Sequence, residues 1–293
     1  MPTEQPEVVT PASLRAWPLP GPEGHKDARG QVVVVGGSCR SPGAPVLAAH
    51  AAFRVGAGRV AVATVDPVAP ALGAAVPEAA VVWLEANDAG NIAVGAADRV
   101  AEETGSGDVL LAGSGMVDPS DASALLARAL PLVEATVVLD ALGSAFLTDH
   151  PGGLHHLGGR AVLSVNPDEL AHVAGVDAED VDADPAAVAA DVARRSRCVV
   201  LCGGTSKHLV APDGRSWVVR GGGPGLGVSG SGDVQAGLVA GLLARGAEPA
   251  QAAVWAAYVH GRCGERLAAS VGRLGYLARE LPDQAPAVLA ELA

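Results

Sequence analysis

The chain has 293 residues and a formal net charge of −12 at pH 7, and 49% of its residues are hydrophobic although only 3% are aromatic. This length suits one large domain or two small ones, with a core built from Val, Leu and Ala. A nucleic-acid-binding protein usually carries a basic face, so the acidic balance argues against that class. Lysine occurs only as Lys26 and Lys207, and arginine supplies nearly all of the positive charge.

The cysteines and the N-terminus indicate a cellular compartment. None of the four cysteines belongs to a C-x-x-C pair, which predicts reduced thiols rather than a zinc site or disulfides; they are Cys39, Cys198, Cys202 and Cys263. The first residues lack the basic and apolar segments of a signal peptide, and no apolar run reaches membrane-spanning length. We therefore expect a cytoplasmic protein with no membrane partner.

Short apolar runs alternate with helical patterns along the chain. Residues 31–35 form a continuous β-branched run followed by two glycines, as expected for a strand buried on both faces. Further strands are predicted at 59–65, 81–84, 109–112, 137–140, 161–165 and 198–201. Helices are predicted at 45–58, 92–104, 119–134, 168–175, 185–196, 233–245 and about 249–271. This alternation predicts an α/β fold with a mainly parallel sheet.

Two segments depart from the alternation. Residues 1–24 are Pro-rich and lack periodicity, so we interpret them as an N-terminal arm before a single domain at 25–293. Two apolar runs, at 209–211 and 217–219, flank Pro212-Asp213-Gly214. Pro-Asp-Gly is a strong turn signal, so a hairpin is predicted there.

The most informative stretch is the glycine-rich segment 221–233, which leads directly into an apolar helix. Small residues let the backbone approach an anion, and the N–H groups of the first helical turn then point at that anion. Asp233 would repel a phosphate, which favours a role in accepting a proton or orienting a hydroxyl beside a phosphoryl group. The alternative is that Ser231 or Asp233 simply caps a buried helix.

Ligands of open α/β sheets bind beyond the carboxyl ends of the strands. Glycine-rich or polar clusters follow five of the predicted strands and, with segment 221–233, predict one shared crevice; they are Gly36-Gly37-Ser38, Gly113-Ser114-Gly115, Asp140-Ala141, Asn166-Pro167-Asp168-Glu169 and Cys202-Gly203-Gly204. The cluster after the first strand does not fit a Rossmann fingerprint, and a Walker A motif is absent. His260 lies in an apolar helix, where a core or helix-contact role is expected.

In sequence order, these segments resemble the ADP/ATP-dependent NAD(P)H-hydrate dehydratase family, a branch of the ribokinase-like superfamily. The resemblance covers roughly residues 14–292, and its most specific match is Gly230-Ser231-Gly232-Asp233-Val234. It is supported by His25-Lys26-Asp27, Pro42-Gly43-Ala44-Pro45, Arg54-Val55-Gly56-Ala57-Gly58, Pro77-Glu78-Ala79, Leu139-Asp140-Ala141-Leu142 and Ala257-Tyr258-Val259-His260-Gly261. The resemblance implies a ribokinase-like three-layer α/β/α fold with a central, mainly parallel sheet.

The resemblance also implies a reaction. The substrate would be hydrated NADH or NADPH (NADHX or NADPHX), in which water has added to the nicotinamide ring. ADP or ATP would phosphorylate the added hydroxyl, and loss of phosphate, a better leaving group than hydroxide, would regenerate NAD(P)H. Mg²⁺ would bind on the phosphates without a dedicated protein cage. A homo-oligomer, commonly a tetramer, and a separate epimerase as functional partner are also implied.

Matched residue by residue, the resemblance assigns roles within the crevice. Asp233 would activate the hydroxyl, and an anion hole would be formed by the N–H groups of Gly230, Ser231 and Gly232. The hydrated dinucleotide would contact Ala44, Gly115, Asn166 and Asp233. The adenylate part of the donor would contact Cys202, Gly203, Gly204, Thr205, Ser206 and Gly232.

Two positions depart from the family pattern. Cys202-Gly203 stands where a Lys-Gly pair is usual, which removes a cation from the expected nucleotide site. Asn166 begins the segment that is usually His-Pro-Gly-Glu, so an amide replaces an imidazole expected to contact the substrate. Lys207 follows closely and could supply the missing charge, although a strand or hairpin position could point it away.

Two other functions remain open at this point. A ribokinase-like kinase for a small alcohol, such as a sugar or vitamin precursor, would use the same Gly-Asp chemistry in a closed pocket rather than a long cleft. A catalytically degenerate protein would bind adenine nucleotide without turnover, because the lysine and the histidine are replaced.

Overall fold

The computed structural model describes residues 5–21, 25–105 and 107–292. Residues 1–4 and 22–24 of the predicted arm lie outside the described part. The strands are β1 Glu7–Val8, β2 Gln31–Val35, β3 Arg59–Val65, β4 Ala80–Leu84, β5 Val109–Ala112, β6 Thr136–Asp140, β7 Ala161–Val165, β8 Val199–Cys202, β9 Ser206–Val210 and β10 Ser216–Arg220. The α-helices are α1 Pro11–Ala16, α2 Ala44–Arg54, α3 Ala69–Ala75, α4 Ala97–Thr104, α5 Pro119–Ala129, α6 Ala145–Asp149, α7 Pro167–Ala174, α8 Ala178–Ala183, α9 Pro185–Ser196, α10 Ser231–Ala244, α11 Pro249–Ser270 and α12 Ala285–Leu292.

All of these strands belong to one sheet with the order β1-β10-β9-β8-β7-β6-β5-β2-β3-β4. The neighbours from β4 through β8 pair in parallel, while β9 pairs antiparallel with both β8 and β10. The mainly parallel sheet and the hairpin of β9 and β10 are therefore confirmed. No helix in the described ranges combines the length and the apolar character needed to cross a bilayer.

The core lies on both faces of the sheet, which gives the fold its three layers. Val32 and Val34 of β2 pack into the cluster formed with α2, α10 and α11, and Val33 and Val35 pack into the cluster on the opposite face. All four side chains are fully buried. Their burial follows from the two-residue period of a strand, and it accounts for the continuous run of valines.

Helices α2 and α10 pack unusually close together because α10 presents glycines to its neighbour. A Cβ atom at Gly237 would lie against the carbonyl of Ala48, 2.8 Å from its Cα, and one at Gly241 would lie 2.6 Å from the carbonyl oxygen of Ala52. Side chains at these two positions would separate the helices. The contact joins the N-terminus of α2, at Ala44, to that of α10.

The N-terminal segment contains regular structure that the sequence prediction missed. Strand β1 pairs in parallel with β10 at the edge of the sheet, and Thr10 caps α1. The Trp17 ring stacks on Trp217 with 5.7 Å between centroids. The Trp17 carbonyl accepts hydrogen bonds from the side chains of Gln251 and Trp255 of α11. These contacts attach the segment to the sheet edge and to the C-terminal half of the chain.

Candidate active site

A cavity opens at the carboxyl ends of β6, β7 and β8, where the sequence predicted a crevice. Its volume is about 860 Å³, within the size range of small-molecule and cofactor sites. Polar and charged residues of the lining include Asp140, Asn166, Glu169, Lys207, Asp233 and His260. Exposed residues such as Gly204 and Gly223 form part of the lining, so the cavity is a cleft open to solvent.

The glycine-rich segment ends at the N-terminus of α10. Gly230 is the residue before this helix and has φ of +89°, a left-handed conformation that favours glycine. Neither Ser231 nor Asp233 caps α10 through its side chain, which removes the capping interpretation. The N–H of Ser231 donates to the Val228 carbonyl at 3.1 Å. Among the described residues, the N–H groups of Gly230 and Gly232 have no acceptor. Gly232 lines the cavity, so its N–H is available to an anion there, whereas Gly230 is not part of the lining.

Three carboxyl groups meet in the cavity. The fully buried Asp140 accepts a hydrogen bond from the Ser114 hydroxyl at 2.9 Å. Burial first, and then the charge of Asp233, raises the pKa of Asp140 well above its usual value. Burial also raises the pKa of Asp233, to about 6, and that of Glu169. Asp140 is buried whereas Asp233 is only partly buried, so Asp233 is the carboxylate more accessible to a bound ligand and better placed to accept its proton.

Asn166 begins α7 and lines the cavity. Its Oδ1 accepts from the Glu169 N–H at 2.9 Å, and Glu169 Oε2 accepts from the Asn166 N–H at 2.9 Å. This reciprocal capping box holds the Asn166 side chain at the helix N-terminus and turns the Glu169 carboxylate towards the carboxyl ends of the strands. Asn166 Oδ1 is therefore occupied, while Glu169 Oε1 is not part of the cap.

The predicted substrate contacts Ala44 and Gly115 lie together, just outside the lining of the main cavity. A Cβ atom on Gly115 would be 3.0 Å from the Ala44 Cβ. The residue before Gly115, Ser114, hydrogen-bonds Asp140 and interacts with Asp233. The structure thus places these two residues on the same side of Asp233, beyond the buried Ser114.

The segment predicted to contact the adenylate is divided between the cavity and the core. Gly203, Gly204 and Thr205 line the cavity, but Ser206 does not. Cys202 is fully buried at the end of β8, and burial raises the pKa of its thiol to about 12. Its thiol is therefore neutral and does not replace the lysine charge of the family pattern.

The structure gives two residues a larger part in the site than the sequence analysis predicted. Lys207 is 5% exposed and lines the cavity from β9, and His260 is 4% exposed and lines it from α11. The Lys207 Nζ lies 2.6 Å from His260 Nδ1, and His260 Nε2 lies 3.0 Å from the Ser231 hydroxyl. Two sequence signals pointed to Lys207: the scarcity of lysine in the chain and its position shortly after Cys202, where the family pattern has a lysine.

Comparisons with known proteins find relatives along almost the whole chain. The model of the NAD(P)H-hydrate dehydratase family matches residues 32–287. The ADP-dependent (S)-NAD(P)H-hydrate dehydratase of Xanthomonas campestris is 44% identical over 97% of this chain and 96% of that protein. The bifunctional NAD(P)H-hydrate repair enzyme Nnr of Moorella thermoacetica is 35% identical over 92% of this chain, which spans only 51% of the bifunctional protein.

A solved structure is similar over nearly the full length. The ADP/ATP-dependent NAD(P)H-hydrate dehydratase of Bacillus subtilis, co-crystallised with ATP/Mg²⁺, superimposes with a TM-score of 0.82 and 25% identity, covering 99% of each chain. The ribokinase-like three-layer fold expected from the sequence is thereby confirmed. With the match of the family model and the 44% identity to a full-length relative, the chain belongs to the NAD(P)H-hydrate dehydratase family.

Proposed function

We propose that this protein is an ADP-dependent NAD(P)H-hydrate dehydratase, a hydro-lyase that regenerates NAD(P)H from NADHX or NADPHX. The observation that carries the proposal is the position of Asp233 in the first turn of α10, beside the unpaired N–H groups of Gly230 and Gly232 and in an open cavity of about 860 Å³. The similarity to ADP-dependent dehydratases over almost the whole chain supports the same reaction.

The chain's own groups account for the proton and charge movements of the phosphoryl-transfer step. Asp233, ionised above pH of about 6, accepts the proton of the added hydroxyl as this oxygen attacks the terminal phosphoryl group of the donor. The Gly232 N–H, reinforced by the α10 dipole, stabilises the negative charge on the transferred phosphoryl. The Ser231 N–H joins it only if it gives up its bond to Val228.

Magnesium fits the cavity through the phosphates rather than through a protein cage. The described residues contain no group of three or more His, Cys, Asp or Glu able to hold a metal ion. Glu169 offers a carboxylate oxygen outside its capping interaction, and such hard oxygens suit Mg²⁺ or its bound water. The ion would neutralise phosphate charge next to the cluster of carboxyl groups.

The shape of the cavity favours the dehydratase over the two other functions. A kinase for a small alcohol needs a closed pocket, whereas this cleft is open to solvent, with exposed residues such as Gly204 and Gly223 in its lining. The degenerate binding protein is disfavoured because Asp233 keeps the burial and raised pKa expected of a general base.

Three further proposals concern the setting of the reaction. We propose a cytoplasmic homo-oligomer, commonly a tetramer in this family, working with a separate NAD(P)HX epimerase. The bifunctional repair enzymes support the link to a second activity, since this chain aligns with about half of their length. Nucleic acids and membranes are not expected partners, given the acidic net charge of −12.

The test is a direct assay of dehydration. Purified protein is mixed with Mg²⁺ and enzymatically prepared NADHX or NADPHX, together with ADP or ATP in separate reactions, and the near-UV absorbance of reduced nicotinamide is followed. We expect a rise that depends on the nucleotide and is fastest with ADP. A flat trace with every donor, although nucleotide binds, would support the degenerate protein, and a stable phosphorylated product would support the kinase.

The pH dependence of the reaction reports the state of Asp233. Because burial raises its pKa to about 6, a growing fraction of the base is protonated below that pH and cannot accept the hydroxyl proton. We expect kcat at saturating ADP to fall about tenfold per pH unit below pH 6 and to level off above it. An unperturbed aspartate would place the midpoint near pH 4. Parallel ADP titrations and enzyme-free reactions control for binding and substrate decay.

A further inference from the structure

The cleft binds a polyphosphate donor in the proposed reaction, yet its lining is acidic. Asp140, Glu169 and Asp233 all face it, and the strand-end lysine expected from the family pattern is the buried, neutral Cys202. The cationic side chains in the lining are those of Lys207 and Arg273. Arg273 is exposed at the rim, so Lys207 is the cation built into the wall.

Lys207 is held in place by two partners on α11. Its Nζ donates to the Ala257 carbonyl at 3.0 Å and lies 2.6 Å from His260 Nδ1. An ammonium group has three N–H donors, so these two contacts leave one donor for a ligand in the cavity. A buried lysine that lines a cavity and has no carboxylate hydrogen-bonded to it is costly unless a ligand supplies the negative charge.

The contacts of Lys207 also determine which atom donates and which accepts in the hydrogen bond between His260 and Ser231. When Lys207 donates to Nδ1, His260 carries its proton on Nε2 and donates it to the Ser231 oxygen, 3.0 Å away. Ser231 then keeps its own O–H for a ligand. Because Ser231 lines the cavity beside Gly232, this O–H lies next to the Gly232 N–H, which is available to an anion.

We propose that Lys207 is the cation that binds the phosphates of the donor nucleotide in this chain, and that His260 orients the Ser231 hydroxyl as a second donor to the same phosphates. Lys207 and Ser231 are then binding residues, and His260 is a positioning residue that acts through both. This inference rests on the proposed function, since the polyphosphate is the donor of that reaction.

The electrostatics of the wall agree with this assignment. Burial lowers the pKa of Lys207 to about 7, so part of the population is neutral in the empty cleft at neutral pH. The titratable groups facing it are neutral: the pKa of His260 lies well below its usual value through burial and the nearby Lys207, and burial raises the thiol pKa of Cys263 to about 12. Phosphate oxygens next to Nζ would favour the ammonium form, so nucleotide binding brings proton uptake.

The first experiment compares Lys207→Met with wild type by calorimetric titration of ADP and Mg²⁺, which needs no turnover. Methionine fills the same space without charge and does not require a buried polar partner, so the variant is expected to fold. We expect the Kd for ADP to rise about tenfold or more, since a hydrogen bond to a charged group is lost. The matched control is Lys26→Met, which removes the same charge from the exposed Lys26 and should leave the Kd within about twofold.

The second experiment measures proton uptake at pH 8 from titrations in two buffers of different ionisation enthalpy. With a pKa of about 7, roughly nine-tenths of Lys207 is neutral before binding, so wild type should take up close to one proton and Lys207→Met close to none. A purely structural lysine would not change this number. An unchanged Kd in Lys207→Met would overturn the assignment, whatever the proton uptake of the two proteins.

Kinetics separate this inference from the proposed function. If wild type dehydrates NADHX, Lys207→Met should raise the KM for ADP much more than the KM for NADHX, and a rise confined to NADHX would overturn the donor assignment. Ser231→Ala should raise the KM for ADP about threefold or more. This effect should be smaller in the Lys207→Met background, because that variant already lacks the hydrogen bond from Lys207 that orients His260 and, through it, Ser231. If wild type shows no dehydration, the two calorimetric experiments still test whether Lys207 binds the nucleotide.

Discussion

Replacement of Asp233 by asparagine is expected to lower kcat for NADHX dehydration by about 10³-fold while ADP still binds. Asparagine keeps the size of the side chain but cannot accept the hydroxyl proton. The loss of a carboxylate near the phosphates should leave the Kd for ADP unchanged or lower it, because the carboxylate repels phosphate. Steady-state kinetics and calorimetric ADP titration measure the two effects on the same preparation.

The control for Asp233→Asn is Asp177→Asn. Asp177 is exposed before α8 and makes no side-chain cap, so the same chemical change there should leave kcat and ADP binding as in wild type. A kcat for Asp233→Asn within tenfold of wild type would show that another group accepts the proton. Asp140 is a poor alternative base, because burial and the charge of Asp233 raise its pKa well above the usual value and so disfavour its ionised form.

Replacement of Gly237 by alanine is expected to destabilise the fold by about 2–3 kcal/mol, although alanine is the better helix former by about 1 kcal/mol. The new methyl group would lie against the Ala48 backbone, which cannot move aside as a flexible side chain could. Urea denaturation of the two proteins measures the difference in the free energy of unfolding.

The matched control for Gly237→Ala is a second glycine within a helix, Gly73 of α3. A Cβ there would meet only a Val81 methyl group at 3.6 Å, an ordinary contact. Gly73→Ala should therefore stabilise the protein by up to about 1 kcal/mol. Opposite signs for the two variants support backbone contact between α2 and α10 as the cause, and stabilisation by both would show that these helices can separate at little cost.

Helices and strands with a clear hydrophobic period could be predicted from the sequence, but the residues at which they end were predicted less well. The β-branched run at 31–35 forms β2 at those residues because all four of its valines are buried on one face or the other. The first predicted helix ends at Arg54 rather than 58, since Gly56 has φ of +104° and breaks the helix. Strand β1 was missed because a strand of two residues is too short to show an alternating pattern. It forms by pairing with the edge of β10, which lies more than 200 residues later in the chain.

The site was predictable where it lies in one segment and not where it depends on distant partners. Asp233 and its glycines were identified because loop and helix start are contiguous in sequence. His260 was expected to be a core residue and is indeed buried, but its partners Lys207 and Ser231 lie 53 and 29 residues away. The Ser231 N–H was predicted to face an anion and instead donates to Val228, since the turn before α10 closes on itself.

The attachment of the N-terminal segment has an optical consequence. Three of the four tryptophans meet where that segment joins the sheet edge: Trp17 stacks on Trp217, and the Trp255 indole donates to the Trp17 carbonyl at 2.9 Å. The fourth, Trp83, is 60% exposed on the opposite edge strand, β4. Intrinsic tryptophan emission from this protein therefore reports whether residues 7–17 are packed against the sheet edge. The clustered tryptophans respond to detachment of the segment, while Trp83 contributes the emission of a solvent-exposed residue in either case.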